Sequence, residues 1–144
     1  MHLLVEACNK QALARGMQAF QISAAKWLNR AESKHRGRKR NGPAFPDRYH
    51  ASIITMPMQA RRGLVYVLNN WRKHKEDKSS ATHHWLLDPY SSAVQFKGWA
   101  ERNDWIVPED HEPLPIAQPQ SWLLRDGWKR HGAISVFEVP GARV

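Results

Sequence analysis

Tyr66 and Asn70 stand four residues apart in the stretch Arg61-Arg62-Gly63-Leu64-Val65-Tyr66-Val67-Leu68-Asn69-Asn70-Trp71-Arg72-Lys73. On a helix, that spacing stacks a phenol and an amide oxygen on one face. Arg62 and Lys73 place cations beside them. A phenol held among cations can attack a phosphate, and the cations steady the charge that develops. Leu64, Leu68 and Trp71 recur at spacings of four and three, which makes one apolar stripe. Tyr66 lies about 200° from Leu64 at about 100° per residue, so it points away from that stripe. The plain reading of the same residues is a half-buried tyrosine followed by a solvated helix end with cations near its C-terminal dipole.

Composition narrows the choice of partner. The chain has 144 residues and carries a net charge of +9, enough length for one domain with a modest core. A strongly basic balance favours polyanions, nucleic acid above all. Its seven tryptophans are a rich supply for this length, and Trp with Arg suits base stacking. These features fit a nucleic-acid enzyme and a plain binding module equally well. Lys34-His35-Arg36-Gly37-Arg38-Lys39-Arg40 is a basic loop. Arg36, Arg38, Lys39 and Arg40 are candidate phosphate contacts, and a solvated, mobile charged loop is the alternative. No run approaches the roughly 20 apolar residues of a membrane span. The apolar start, Met1 to Ala7, has no cationic region or cleavage site of a secretion signal. A single cysteine, Cys8, fits a reducing compartment. His74, His83, His84, His111 and His131 lack zinc-finger spacing, and no Gly-rich phosphate loop, Ser-His-Asp set or HExxH occurs.

The elements that must position these residues follow from periodicity. Residues 2–7 and 48–55 read as short β-compatible strands. Residues 10–31 form the clearest helix, with Leu13, Met17, Phe20, Ala24 and Trp27 in phase and Asn9 as N-cap. Gly16 within it predicts close packing, and Asn41-Gly42-Pro43 predicts a turn. Pro57 opens the Tyr66 helix, which is predicted to run to about Lys75. A partial antiparallel sheet packed against helices, an α+β fold, is the expected class, although two strands make too small a sheet for two helices. Beyond residue 78 the texture changes. Pro89, Pro108, Pro113, Pro115 and Pro119 punctuate an extension over 79–144 in which only 120–131 reads as helical.

These residues carry a resemblance. His2-Leu-Leu-Val-Glu-Ala, Leu13-Ala-Arg-Gly-Met-Gln, Asp47-Arg-Tyr-His-Ala and Leu64-Val-Tyr-Val-Leu-Asn-Asn-Trp-Arg-Lys-His occur in that order. Asp88-Pro-Tyr-Ser-Ser-Ala and Ser121-Trp-Leu-Leu-Arg-Asp-Gly-Trp follow them. Together they resemble the single-tyrosine (HUH) transposases, in the branch associated with repetitive extragenic palindromes. The resemblance implies a ferredoxin-like catalytic domain, here over 1–78 and without its first strands, plus the C-terminal extension. It implies cleavage of single-stranded or hairpin DNA in the bacterial cytoplasm, with Tyr66 as the nucleophile that becomes linked to the 5′-phosphate. It also implies a divalent metal, Mg²⁺ or Mn²⁺, held by a His-hydrophobic-His strand pair and by Asn70. His2 matches the second histidine and Met1 the hydrophobic position. The first histidine would precede Met1. Alternate strand residues share a face, so the pair is what grips the ion. The expected protein is therefore an N-terminally truncated transposase with impaired cleavage, and the alternative is a non-catalytic basic DNA-binding remnant. The resemblance admits a homodimer.

Overall fold

The computed structural model describes residues 1–40, 42–45, 49–101 and 105–141. Asn41, Asp47 and Arg48, named above in a turn, a motif and a strand, lie outside the described residues. The chain divides into two compact units, Val5–Ala51 and Met1–Leu4 with Ser52–Val144.

The first unit is built on helix α1, Lys10–Arg36. The Asn9 side-chain oxygen accepts from the Ala12 backbone N–H at 2.8 Å, the N-cap expected from its sequence position. Gly37 closes the helix in the left-handed region at φ 64°, where glycine has no Cβ to clash. Lys34, His35 and Arg36 occupy the last turn, where cations complement the dipole. The helix runs past its expected end at Ala31 because nothing before Gly37 breaks it. None of its residues is buried, and Trp27 is 69% exposed. Gly16 has nothing within 4 Å of where a Cβ would stand, so it marks no close approach, contrary to expectation.

The second unit holds helix α2, Pro57–Leu68, and the short helix α3, Asn70–Lys73. Pro57 sits in the first turn, where its missing N–H costs nothing. Gln59 reaches back to accept from the backbone N–H groups of Thr55 and Met56 at 2.9 and 3.2 Å. The expected continuous helix to Lys75 bends at Asn69 instead. Its stripe packs as predicted: Leu68 and Trp71 are buried and Leu64 is half-buried.

The α+β class and its antiparallel sheet are corrected. The described residues contain helices and irregular chain, and their only β contact is an isolated parallel bridge between Trp99 and Ile134. Residues 2–7 and 49–55 form no strand. Alternating apolar side chains make a strand only when a neighbouring backbone satisfies the N–H and C=O groups. No described segment pairs with either stretch, and Ile53 stays 85% exposed.

The core replaces a sheet with a helix and an irregular wrap. Ala60, Val65 and Leu68 of α2 pack in one cluster with Leu87, Ala93, Trp99, Trp128, Ile134 and Val136. Residues on both sides of position 78 thus share one core. The expected helix over 120–131 splits into α4, Trp122–Arg125, and a 3₁₀ turn, Gly127–His131, which lays Trp128 into that core. A Cβ on Gly98 would collide with the rings of Trp128 and Phe96. That close approach is what glycine permits there.

Lys75, two residues past the end of α3 and just before the 3₁₀ turn Glu76–Lys78, lies in the left-handed region at φ 59°, where side chains other than glycine are strained. Lys75→Gly is expected to stabilise the protein by about 0.5–1 kcal/mol, the relief of strain exceeding the extra chain entropy of glycine. Urea unfolding checks this as a raised midpoint at unchanged slope.

Candidate active site around Tyr66

Tyr66 is half-buried on the outer side of α2, away from the Leu64–Leu68–Trp71 stripe. Two positively charged or basic groups flank it. The His2 ring meets the Tyr66 ring edge-on, with centroids 4.7 Å apart. The Lys73 ammonium lies over the same ring, 4.8 Å from its centre, an attractive cation–π placement. Burial lowers the His2 pKa, and the chain's amino group, His74 and Lys73 lower it further by charge repulsion. Each of these effects favours the neutral His2 ring. No hydrogen bond to a described residue ties down the Tyr66 hydroxyl.

Tyr66 also lines a cavity of about 280 Å³ with Met58, Arg61, Arg62, Val65 and the segment Glu138 to Gly141. Arg62 is exposed at its mouth. Arg61, its neighbour in sequence, is held fast. Its guanidinium makes two bonds to the Glu138 carboxylate at 2.7 and 2.8 Å and donates to the carbonyls of Gly132 and Ala133. Such fork-to-fork pairing fixes geometry as well as charge.

Asn70 and Asn69 have separate roles. The Asn70 side-chain oxygen is buried and has no hydrogen-bond partner among the described residues. Asn69 is fully buried, and its amide donates to the carbonyls of Ser135 and Glu138 at 3.0 and 2.8 Å. Arg72 donates to the Val136 and Leu86 carbonyls and pairs with Asp77 at 3.0 Å. From the other side, Glu101 accepts from the Ser135 hydroxyl and the Val136 N–H. Side chains of α2 and α3 thus do for residues 132–138 what a partner strand does in a sheet. Sequence reasoning missed Arg61, Asn69 and Glu138. In sequence, an asparagine pair beside a basic run gives no sign that one amide is a latch.

His2 and Asn70 are two neutral donors, and no group of three or more His, Cys, Asp or Glu gathers among the described residues. Mg²⁺ and Mn²⁺ prefer oxygen donors with carboxylates among them, and the Lys73 ammonium beside Tyr66 already places positive charge there. The donor set does not fit the ion.

The basic residues belong to the Val5–Ala51 unit. Arg36 lies in the last turn of α1 and pairs with Glu32. Arg38, Lys39 and Arg40 are exposed. The loop is folded back on α1: the Arg40 N–H donates to the Ser33 hydroxyl at 2.9 Å, and the Asn29 amide donates to the Gly42 carbonyl at 3.4 Å. It is more ordered than a free charged loop, which presents its three outer cations from a defined turn. No helix among the described residues is long and apolar enough to cross a membrane. No family profile, curated protein or solved structure matches the chain.

Proposed function

We propose that the protein binds single-stranded or hairpin DNA and that Tyr66 attacks a phosphodiester in it, the DNA transposase chemistry of the single-tyrosine class. The observation that carries this reading is the Tyr66 phenol between His2 and Lys73 at the wall of a cavity that Arg62 borders. In the proposed step the phenolic oxygen bonds to phosphorus and the bond to the 3′-oxygen breaks. The phenol proton passes to water, the leaving oxygen takes up a proton as a 3′-hydroxyl, and the DNA stays linked through its 5′-phosphate. Lys73 and Arg62 supply the positive charge for the phosphate oxygens.

A labelled hairpin oligonucleotide with a single-stranded flank tests this. Label retained on the protein through denaturing electrophoresis is the expected result, and free label alone contradicts it. The second reading, a non-catalytic basic DNA-binding module, draws on the incomplete metal donor set. It expects salt-dependent binding and no retained label.

Both readings expect the α1 loop to contact phosphates. Replacing Arg38, Lys39 and Arg40 by Ala is expected to flatten the slope of log affinity against log salt by about 2, at about 0.7 per lost phosphate contact on single strands. Fluorescence anisotropy across a salt series reads this, and an unchanged slope removes the loop from the interface.

A further inference from the structure

A short stretch outside the Tyr66 site places four aromatic rings in a chain. His83 meets His84 with ring centroids 5.7 Å apart, His84 meets Trp85 at 4.8 Å, and Trp85 meets Tyr90 at 6.1 Å. The contacts are edge-to-face, at 85°, 61° and 75°. In each contact the edge of one ring meets the face of its neighbour, so each pair covers one ring face and the exposed rings offer what remains to solvent. His83 and His84 are exposed, Trp85 is half-buried and Tyr90 is 77% exposed.

This display is held from behind. Leu87 packs in the core and Pro89 is buried. The Thr82 hydroxyl bonds back to the Glu76 carbonyl, and the Trp85 N–H to the Thr82 carbonyl. A tight turn sets Tyr90 outward: the Tyr90 N–H donates to the Asp88 carboxylate at 2.9 Å, and the Ser91 hydroxyl to the Asp88 carbonyl at 3.0 Å. Arg72 grips the Leu86 carbonyl at 2.7 Å, which ties the stretch to the helix end that follows Tyr66. Side chains that hold no core are thus kept in one arrangement by ones that do.

We infer that His83, His84, Trp85 and Tyr90 form a stacking platform for the bases of single-stranded DNA. This inference rests on the DNA-binding reading above and adds a second contact surface to it. Unpaired bases stack on open aromatic faces whatever their sequence, while cations follow the backbone. Lys75 and Lys78 are exposed beside the platform, and neither is in an ion pair among the described residues. Of the nearby acids, Asp77 is paired with Arg72 and Asp88 is committed to the Tyr90 turn, which leaves Glu76 exposed. A proline-rich peptide also packs on aromatic rings. The chain's net charge of +9 favours the polyanion.

The test uses the full chain, a fluorescein-labelled oligothymidylate and anisotropy at two salt concentrations. Tyr90→Leu combined with His84→Ala is expected to weaken binding about tenfold or more, with the salt slope and thermal midpoint unchanged. Tyr90→Trp keeps a flat face and is expected to retain affinity. Loss of affinity in Tyr90→Trp equal to that in Tyr90→Leu overturns the platform. So does double-variant affinity within twofold of the parent, and so does an equal loss on duplex DNA. A parent chain that binds a proline-rich peptide but no oligonucleotide overturns both the platform and the DNA reading. Parent binding that the double variant leaves intact overturns the platform alone.

Discussion

Tyr66→Phe abolishes the covalent DNA adduct while leaving fold and DNA affinity in place; this is the expected result with the largest effect. The substitution deletes one oxygen. The ring remains, with its edge contact to His2 and its place under Lys73. No described hydrogen bond to the hydroxyl is lost, and the cavity wall is unchanged in shape. Stability is therefore expected to shift by less than about 1 kcal/mol. A nucleophile cannot be replaced by a ring carbon, so adduct formation should fall below detection. Lys73→Met is the companion variant. Removing one preorganised charge from a developing oxyanion costs about 10²–10³ in rate, so a slowed adduct is expected there, with DNA affinity lowered by one phosphate contact. An adduct that persists in Tyr66→Phe removes the assigned nucleophile.

The second large effect is on stability. Asn69→Ala is expected to destabilise the protein by about 2–5 kcal/mol. The Asn69 amide is the donor for two carbonyls, those of Ser135 and Glu138, from a fully buried position. Leaving an acceptor unpaired away from water costs about 1–3 kcal/mol, and two carbonyls of half-buried residues lose their donor together. The loss spreads further because the same segment carries Ile134 and Val136, both fully buried in the core. Asn69→Asp is expected to be no better, since it turns a charge toward the carbonyls it must bond. Urea unfolding gives the measurement: a midpoint drop worth less than about 1 kcal/mol would mean that the latch does not hold the segment. The Arg61–Glu138 pair is partly exposed, with 16% and 32% of the two side chains open. Its removal is expected to cost less than loss of Asn69, because solvent screens what remains.

The features legible in the sequence were the local ones. The Asn9 cap, the start of α2 at Pro57 and its Leu64–Leu68–Trp71 stripe each depend on residues within a few positions, and each is present. The expected strands failed for the opposite reason. A strand is a statement about a distant neighbour, and residues 2–7 and 49–55 have none among the described residues. The site divides in the same way. The helix face that carries Tyr66 was readable from spacing, and so was a cation near it. The partition of the asparagines and arginines was not. Arg62 faces the cavity mouth while Arg61 holds the segment before Glu138, and Asn69 is a buried latch while Asn70 is not. Adjacent residues of one type point about 100° apart on a helix, and only the packed partner decides which becomes structural. The bend at Asn69 was likewise hidden, because the helical period of the stripe continues through it.

The most direct test of the account is the mass of the protein after incubation with a hairpin oligonucleotide that carries a single-stranded flank, in buffer containing Mg²⁺ or Mn²⁺. A species heavier than the 16.7 kDa chain by the mass of the DNA downstream of one phosphodiester is expected. Peptide mapping should then find that mass on the peptide containing Tyr66. A chain that binds the oligonucleotide yet stays at its unmodified mass contradicts the catalytic claim and leaves a basic DNA-binding module. A heavier species with the DNA on another residue contradicts the assignment of Tyr66.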